Sequence, residues 1–464
     1  MYDYDVVSIG AGSGGCASAM RSADLGKKVA LVEYRDKGTG GTCVNRGCIP
    51  TKVLVKSAHV LEEMRNAQQY GIIAKEISAD LKLIHQKKNV AINGLKFGLD
   101  NFLIKSRKID RIKGKARFID EHTLEIKDGD NIRTVTAENF IIATGSEPAM
   151  IEAFNIDREN IITSDEALNL EEIPNELIIV GAGALGLEFA YIFSNFGSKV
   201  TIVEMMPHVV PTMNDKEVTD EIQKYLKKLG IEVLCGDGIS KIEVTHNDRV
   251  KCLFSSGKTI EADKALVAIG RSLNTNDLDL KNAGVEITPK GQIIVDKNMR
   301  TTTDNIFAVG DITDGPQLSH KAQKQGLVAA ETIVGIESTL NYDVIPWAIF
   351  MQPEIAGVGM TAEDAKVKGI KVITGKMKFN ANEKAMSMQQ TTGLIKIVAR
   401  KENHQLIGGQ IFGIDASVLI EEVALAIDSN LSLENIANSI HAHPTLSEIV
   451  MEAAKNALGK SFNK

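Results

Sequence analysis

One design occurs twice in this chain. Residues 6–9 form an apolar run of strand character that leads into Gly10, Gly12 and Gly15, spaced G-x-G-x-x-G. An apolar helix face follows, then a second strand-like run at 29–32 ending in Glu33. Residues 177–180 lead in the same way into Gly181, Gly183 and Gly186, and the run at 200–203 ends in Glu204. The offset from first glycine to acid is 23 in both copies, 33 − 10 and 204 − 181. One Gly-rich turn constrains little, but two complete strand-turn-helix-strand-acid units at one offset require parallel strands joined through a helix. In such a unit the first glycine permits the tight turn, the second admits a pyrophosphate and the third lets helix and strand pack closely. The helix start faces phosphate, and the acid accepts hydrogen bonds from ribose hydroxyls. The expected fold class is therefore α/β with two Rossmann-like dinucleotide-binding domains.

At 464 residues the chain is long enough for about three domains. The strand-like stretch at 136–143 ends in Thr144 and Gly145, and that at 264–269 ends in Gly270, both reading as returns of the chain between domains. Residues 303–309 run into Gly310 and Asp311, ahead of an alanine-rich helix near 322–332. Asp311 could accept from a sugar or ribityl hydroxyl; taken alone it reads as an ordinary turn or helix-start residue. Beyond, strand patterns at 393–398 and 406–412 alternate with helical ones at 417–427 and 447–458, without another G-x-G-x-x-G. The expected division is 1–145, 146–274, a returning segment 275–343 that completes the first domain, and an α+β C-terminal domain at 344–464. Its apolar helix faces could meet a partner chain, although core packing is the default reading.

Between the two units lies a cysteine pair. Residues 40–52 carry Cys43 and Cys48 behind a glycine pair, in a chain with only Cys16, Cys235 and Cys252 besides. An odd total without a regular framework points to a reducing compartment and to redox machinery rather than a structural staple. In an ideal helix two residues five apart have α-carbons about 8.6 Å apart, whereas a disulfide needs less than about 7 Å. A bond between them therefore requires a distorted backbone, for which Pro50 supplies one reason; a strained, accessible disulfide is easily reduced. Two dinucleotides with one such disulfide after the first suggest a flavin in the first site. Glu204 would repel a ribose 2′-phosphate, and residues 205–210 hold no Arg or Lys to attract one, which favours NAD over NADP in the second.

Near the end, His443 precedes Pro444, and Glu448 follows five residues later. Pro444 disfavours a helical backbone at His443, placing the imidazole in a turn that leads into a helix from which Glu448 reaches back. A carboxylate that fixes the tautomer leaves the other ring nitrogen free to take a proton from a thiol.

The balance of 53 basic and 60 acidic residues gives a net charge of −7, which argues against a polyanion partner. No nucleic-acid footprint, metal site, spanning segment or targeting peptide is read, and a cytoplasmic protein is expected.

The paired cysteines at 40–52, the string 181–188, Val309 with Gly310 and Asp311, and the string 441–448 occur in one order over essentially the full length. Together they make the chain resemble the pyridine nucleotide-disulfide oxidoreductases, with 441–448 particularly like the dihydrolipoamide branch. The resemblance implies that Cys43 exchanges with the dithiol substrate while Cys48 faces the flavin as a thiolate. It implies that His443 and Glu448 act across a homodimer formed by the C-terminal domain. Lys52 would sit near the flavin and pair with Glu188; on sequence grounds alone each reads as a surface charge. FAD would be held by Gly10, Gly12, Gly15, Glu33, Thr42, Lys52, Thr144, Gly145, Gly310 and Asp311, and NAD by Gly181, Gly183, Gly186, Glu204 and Gly270. The implied reaction is oxidation of protein-bound dihydrolipoamide by NAD⁺. No lipoyl module or flexible Ala/Pro-rich linker is seen, so a lipoyl-bearing acyltransferase or glycine-cleavage carrier protein would present the substrate.

Arg46 and Leu273 depart from residues common in such proteins. Arg46 beside the cysteines could lower a thiolate pKa, but a side chain pointing to solvent is the expected case. The alternatives are an NADPH-dependent glutathione or other disulfide reductase, disfavoured by Glu204, and a non-catalytic flavin redox-sensing subunit, disfavoured by the intact Cys43, Cys48, His443 and Glu448. A mercuric-reductase-like enzyme would want a C-terminal cysteine pair, and the tail at 457–464 has none.

Overall fold

The computed structural model describes residues 1–36 and 38–461; Lys37 and the last three residues of the cysteine-free tail lie outside the described residues. The described residues group into two compact units, one of residues 1–53, 82–149 and 270–340, the other of residues 54–81, 150–269 and 341–464.

In the first unit Tyr4–Ile9 is a central strand. Val29–Glu33 runs parallel on one side, with Val6 opposite Val29 and Ile9 opposite Val32. The end of Asn131–Ile142 runs parallel on the other, with Ile9 opposite Ile142. Asp110–Lys113 extends the sheet beyond Val29–Glu33, and Ile306–Ala308 pairs with Asn131–Ile142. Val6, Val7, Ile9 and the run from Val29 to Val32 are all buried, as expected of parallel strands covered on both faces. The helices Ser13–Asp24 and Ser319–Ile333 pack so closely that a Cβ on Gly326 would stand 2.5 Å from the Gly14 carbonyl oxygen. The strand expected at 136–143 begins earlier, at Asn131, because a two-residue turn at Gly129 (φ +62°) first pairs it antiparallel with Thr123–Asp128.

In the second unit a parallel sheet runs in the order Glu232–Cys235, Lys199–Glu204, Glu176–Val180, Lys264–Val267, Ile161–Ile162. The helix Ala184–Phe196 follows Glu176–Val180 and buries Leu187, Phe189, Tyr191 and Ile192 completely. The C-terminal part of this unit is an antiparallel sheet in which Leu406–Gly413 lies between Glu354–Gly359 and Leu394–Arg400. The helices Ala416–Asp428, Leu433–Asn438 and Glu448–Ala457 cover it and share its apolar core. The fold class is α/β, with two Rossmann-like units and an α+β C-terminal part. Among the described residues no helix is long and apolar enough to cross a membrane.

Candidate active site

The two Gly-rich turns are built alike. Gly10 sits at φ +103° and Gly181 at φ +108°, a conformation that glycine adopts without steric cost. A Cβ would meet the Ala143 carbonyl oxygen at 2.4 Å in the first and that of Ala268 at 2.5 Å in the second. Gly15 and Gly186 pack their helices onto the turns: a Cβ there would lie 1.8 Å from the Gly10 oxygen and 1.9 Å from the Gly181 oxygen. Gly12 and Gly183 occupy the N-cap positions of Ser13–Asp24 and Ala184–Phe196, and no side chain caps either helix. At Gly183 a Cβ would point into open space, so packing does not demand glycine there, whereas close approach of a phosphate to bare N–H groups does.

The acids repeat the symmetry. Glu33 accepts from the Ala11 N–H at 3.0 Å and the Arg35 N–H at 2.9 Å; Glu204 accepts from Ala182 and Met206, both at 2.8 Å. Each carboxylate thus ties the end of its second strand to the Gly-rich turn, and its remaining lone pairs can receive ribose hydroxyls.

Around the first cradle, Thr144 donates to the Asn274 carbonyl at 2.7 Å and Asn274 returns a bond to the Thr144 carbonyl at 3.0 Å. Next to them Gly145 turns at φ +68°. Ser146 donates to Asp311 at 2.5 Å while accepting from Arg271 at 2.7 Å. Gly310 turns at φ +87°, its N–H bound to Gln325. Buried Lys321 donates to the carbonyls of Gly310 and Asp314, and burial pushes its amine down to about 8. The Gly270 carbonyl accepts from the Ala149 N–H. Sequence reading singled out Asp311 and Thr144 but not their partners Ser146 and Asn274, which lie 165 and 130 residues away.

The cysteines occupy a broken helix. Gly41–Arg46 carries Cys43, the chain breaks at Gly47, and Cys48–Arg65 resumes with Cys48 first. The distortion expected of Pro50 lies instead at Gly47; Pro50 is third in the new helix, where no intrahelical N–H bond is lost. Asn45 holds the turn by donating to the carbonyls of Gly41 and Thr39. Gly41 (φ +56°) abuts the first cradle so tightly that a Cβ would stand 2.5 Å from the Gly12 α-carbon. Thr42 and Cys43 are thereby set beside that cradle. All five cysteines are thiols. The Cys43 thiol is lowered to about 6: the Cys48 thiol donates to it, and against the upward push of burial the Ser319 hydroxyl, the Lys52 ammonium and the Ser13 hydroxyl favour its thiolate. Burial pushes Cys16 and Cys235 up to about 11 and Cys252 up to about 12.

Arg46 does not point to solvent. Its guanidinium makes two 2.6 Å bonds to Glu147, which also accepts from Arg35 at 2.6 Å. Burial alone would raise the Glu147 carboxyl, and the two arginines hold it below the usual range. Glu188 is not a surface charge either: it is 2% exposed and accepts from the Phe350 N–H at 3.0 Å.

In the second unit the His443 Nδ1 lies 3.0 Å from Glu448, whose other oxygen accepts from the Thr445 N–H at 2.8 Å. Burial would raise the Glu448 carboxyl, but these bonds hold it lower. The structure therefore gathers Gly10, Gly12, Gly15, Glu33, Thr42, Cys43, Cys48, Lys52, Thr144, Gly145, Gly270, Gly310 and Asp311 in the first unit. Gly181, Gly183, Gly186, Glu188, Glu204, His443 and Glu448 lie in the second.

Comparison with known proteins accounts for this combination. The model of a family described as pyridine nucleotide-disulphide oxidoreductase matches residues 4–326, and that of the family's dimerisation domain matches residues 345–454. The chain is 41% identical over 461 residues to the dihydrolipoyl dehydrogenase of Geobacillus stearothermophilus, covering 98% of this chain and 97% of the relative. It is 39% identical over 465 residues to that of Bacillus subtilis, covering 99% and 98%. Among solved structures it is similar to the HOCl-induced flavoprotein disulfide reductase RclA of Escherichia coli, with 30% identity, a TM-score of 0.86 and coverage of 97% and 99%. LpdA of Mycobacterium tuberculosis superposes with a TM-score of 0.90 at 26% identity, covering 97% and 99%. Redox thiols beside one of two nucleotide cradles, and family matches running from the first strand to the last helix, make one statement: the chain is an enzyme and belongs to the pyridine nucleotide-disulphide oxidoreductases.

Proposed function

We propose that this chain oxidises protein-bound dihydrolipoamide to lipoamide with NAD⁺ as acceptor. The observation that carries the reading is the dithiol turn, in which Cys43 is poised as a thiolate beside a nucleotide cradle; the lipoyl substrate is supported by the near-full-length relatives named dihydrolipoyl dehydrogenase.

In this reading Gly10, Gly12, Gly15, Glu33, Thr42, Lys52, Thr144, Gly145, Gly310 and Asp311 hold FAD, and Gly181, Gly183, Gly186, Glu204 and Gly270 hold NAD. The bare N–H groups at both helix starts and the open space at Gly183 fit such ligands. When bound, FAD supplies the two-electron path between the thiols and NAD⁺. In the oxidised enzyme Cys43 and Cys48 form the disulfide. Glu448 holds Nδ1 of His443, so Nε2 takes the proton from a substrate thiol. The substrate thiolate attacks Cys43 Sγ, the Cys43–Cys48 bond breaks, and the electron pair stays on Cys48. The second substrate sulfur then displaces Cys43, leaving lipoamide and an enzyme dithiol. Lys52 and Glu188 complete the flavin side. The match to the dimerisation domain supports a homodimer in which His443 of one copy serves the dithiol of the other. A lipoyl-bearing acyltransferase or a glycine-cleavage carrier protein delivers the substrate.

Steady-state reduction of NAD⁺ by dihydrolipoamide tests the reading, run beside NADP⁺ and beside NADPH with oxidised glutathione. Fast turnover with dihydrolipoamide and NAD⁺ is expected. Turnover only with NADPH and glutathione would overturn both the substrate and the role given to Glu204.

A further inference from the structure

A lysine is buried against the turn that carries Asp311. Lys321 belongs to the helix Ser319–Ile333 and is 1% exposed. Lysine is almost never buried so completely, because an ammonium taken out of water is costly unless its protons find acceptors. Here Nζ donates to the carbonyl oxygens of Asp314 at 2.9 Å and of Gly310 at 3.3 Å. These carbonyls belong to the first and last residues of the turn 310–314, so one ammonium ties both ends of it.

The same face of the helix completes the grip. Gln325, four residues on and therefore beside Lys321 on the helix surface, accepts from the Gly310 N–H at 2.8 Å and donates to Thr313 Oγ1 at 3.0 Å. Thr313 in turn donates to the Gly310 carbonyl, through its hydroxyl at 2.8 Å and its N–H at 3.1 Å. Gly310, Ile312 and Thr313 are buried, while Asp311 keeps accessible surface. The turn is thus fixed through its backbone and retains one open acid, whose Oδ2 accepts from Ser146 at 2.5 Å. The remaining lone pairs of that carboxylate can receive a sugar hydroxyl. Lys321 makes its bonds to the backbone on either side of Asp311, and its charge is attracted by the Asp311 and Asp314 carboxylates.

We propose that Lys321 is a positioning residue of the flavin site, locking the 310–314 turn so that the Asp311 carboxylate is presented to a hydroxyl of the flavin's sugar chain. This deepens the function proposed above and rests on it for the presence of FAD beside Asp311. The ammonium meets a second need. FAD brings negative phosphates, and a lone carboxylate in their neighbourhood is disfavoured; the buried cation offsets it. A methionine would fill the same space without burying a charge and would do neither.

The test is a double-mutant cycle read on flavin release. Holoprotein is placed in concentrated potassium bromide, and the first-order rise of free-flavin fluorescence is recorded for the native protein, Lys321→Met, Asp311→Asn and the double variant. Each single variant should release flavin about tenfold faster, as expected for loss of a hydrogen bond to a charged group. In the Asp311→Asn background Lys321→Met should add less than about twofold, because both act on one contact. The visible circular dichroism of the bound flavin should change alike in the two single variants, a signature that loosened packing alone would not give. An acceleration by Lys321→Met as large in the Asp311→Asn background as in the native one would show that the lysine only joins helix and turn, and would overturn the proposal; so would native release from Lys321→Met. If Lys321→Met does not fold, Lys321→Gln, whose amide keeps a donor without the charge, is taken round the same cycle with the same two outcomes. A native protein that binds no flavin would overturn this proposal and the reading above together. Because neither NAD⁺ nor lipoamide is used, an additive cycle leaves the substrate reading standing, and failure of the dihydrolipoamide assay leaves this result interpretable.

Discussion

Gly10 and Gly181 turn their chains at nearly the same angle, and Glu33 and Glu204 each bind two backbone N–H groups, yet the cysteine beside each cradle is driven in opposite directions. Cys43, reached by two hydroxyls, a thiol and an ammonium, is lowered to about 6. Cys235, opposite Glu204 in the sheet register, is pushed up to about 11 by burial and then by that carboxylate. The Gly-rich turn prepares a place for phosphate and leaves the chemistry nearby undetermined; donors brought from distant parts of the chain decide which sulfur reacts.

The sharpest way to separate the cradles is to fill one at a time. In Gly15→Ala the new methyl would sit 1.8 Å from a carbonyl oxygen, and in Gly186→Ala 1.9 Å, so turn and helix must part; overpacking of this kind costs about 1–3 kcal/mol or more. Gly15→Ala should purify without flavin or fail to fold. Gly186→Ala should keep its yellow colour and two titratable thiols while losing NAD⁺ reduction. Identical loss of flavin in both, measured by absorbance and released-flavin assay, would break the assignment of one nucleotide to each unit.

The thiols give the next largest effect. At pH 7 a thiol of pKa about 6 is about nine-tenths ionised and one of about 11 about one part in ten thousand. Nucleophilicity falls with pKa, with a Brønsted coefficient of about 0.4–0.5, and recovers about two decades for Cys235. Cys43 should therefore react with an aromatic disulfide roughly a hundredfold faster than Cys235, and the ratio should shrink as pH rises towards 9. Peptide mapping after short exposure reads it directly; equal labelling at pH 7 would remove the contrast.

What could be read from sequence follows the range of the forces involved. The duplicated strands and turns are visible because burial on both faces and positive φ leave local marks, unbroken apolar runs and glycines at fixed spacing. The contact of His443 with Glu448 is visible for the same reason, five residues apart on a turn and the helix that follows. The antiparallel strands Lys115–Asp120 and Thr123–Asp128 escaped notice because their mixed charge masks the alternation. Ser13, Ser319, Ser146 and Asn274 gave no signal, since their partners come from far along the chain. Glu188 read as a surface charge because nothing local announces a backbone N–H waiting 162 residues on.

The acids offer a matched, smaller perturbation. Replacing either carboxylate by an amide turns one acceptor towards an N–H it can no longer receive, a loss of about 1–3 kcal/mol. Glu204→Gln should raise the KM for NAD⁺ by about tenfold and narrow the preference over NADP⁺, with flavin content unchanged. Glu33→Gln should do the reverse, weakening flavin retention while leaving the KM for NAD⁺ alone. A Glu204→Gln enzyme with native KM and native preference would mean that Glu204 serves only its own turn.

The smallest expected effect concerns Arg46, which belongs to the dithiol turn and has no counterpart in the second cradle. It clamps the helix bearing Cys43 to Glu147, and the pair is partly exposed, with side chains 16% and 30% accessible. Solvent screening therefore limits its worth to about 1 kcal/mol. Glu147 also keeps Arg35 when Arg46 is removed. Because the Glu147 carboxyl is held below its ordinary value, the pair contributes above the unfolded pKa and is lost as pH falls through the folded one. Arg46→Met should thus lower the melting temperature slightly at pH 7, with the difference vanishing in acid below the Glu147 pKa. The pH midpoint for alkylation of Cys43 should stay near 6, since Ser319, Ser13, Cys48 and Lys52 set it. A rise of that midpoint in Arg46→Met would instead make the clamp part of the thiol's electrostatics, and the contrast between the cradles would then rest on the ion pair as much as on the hydroxyls.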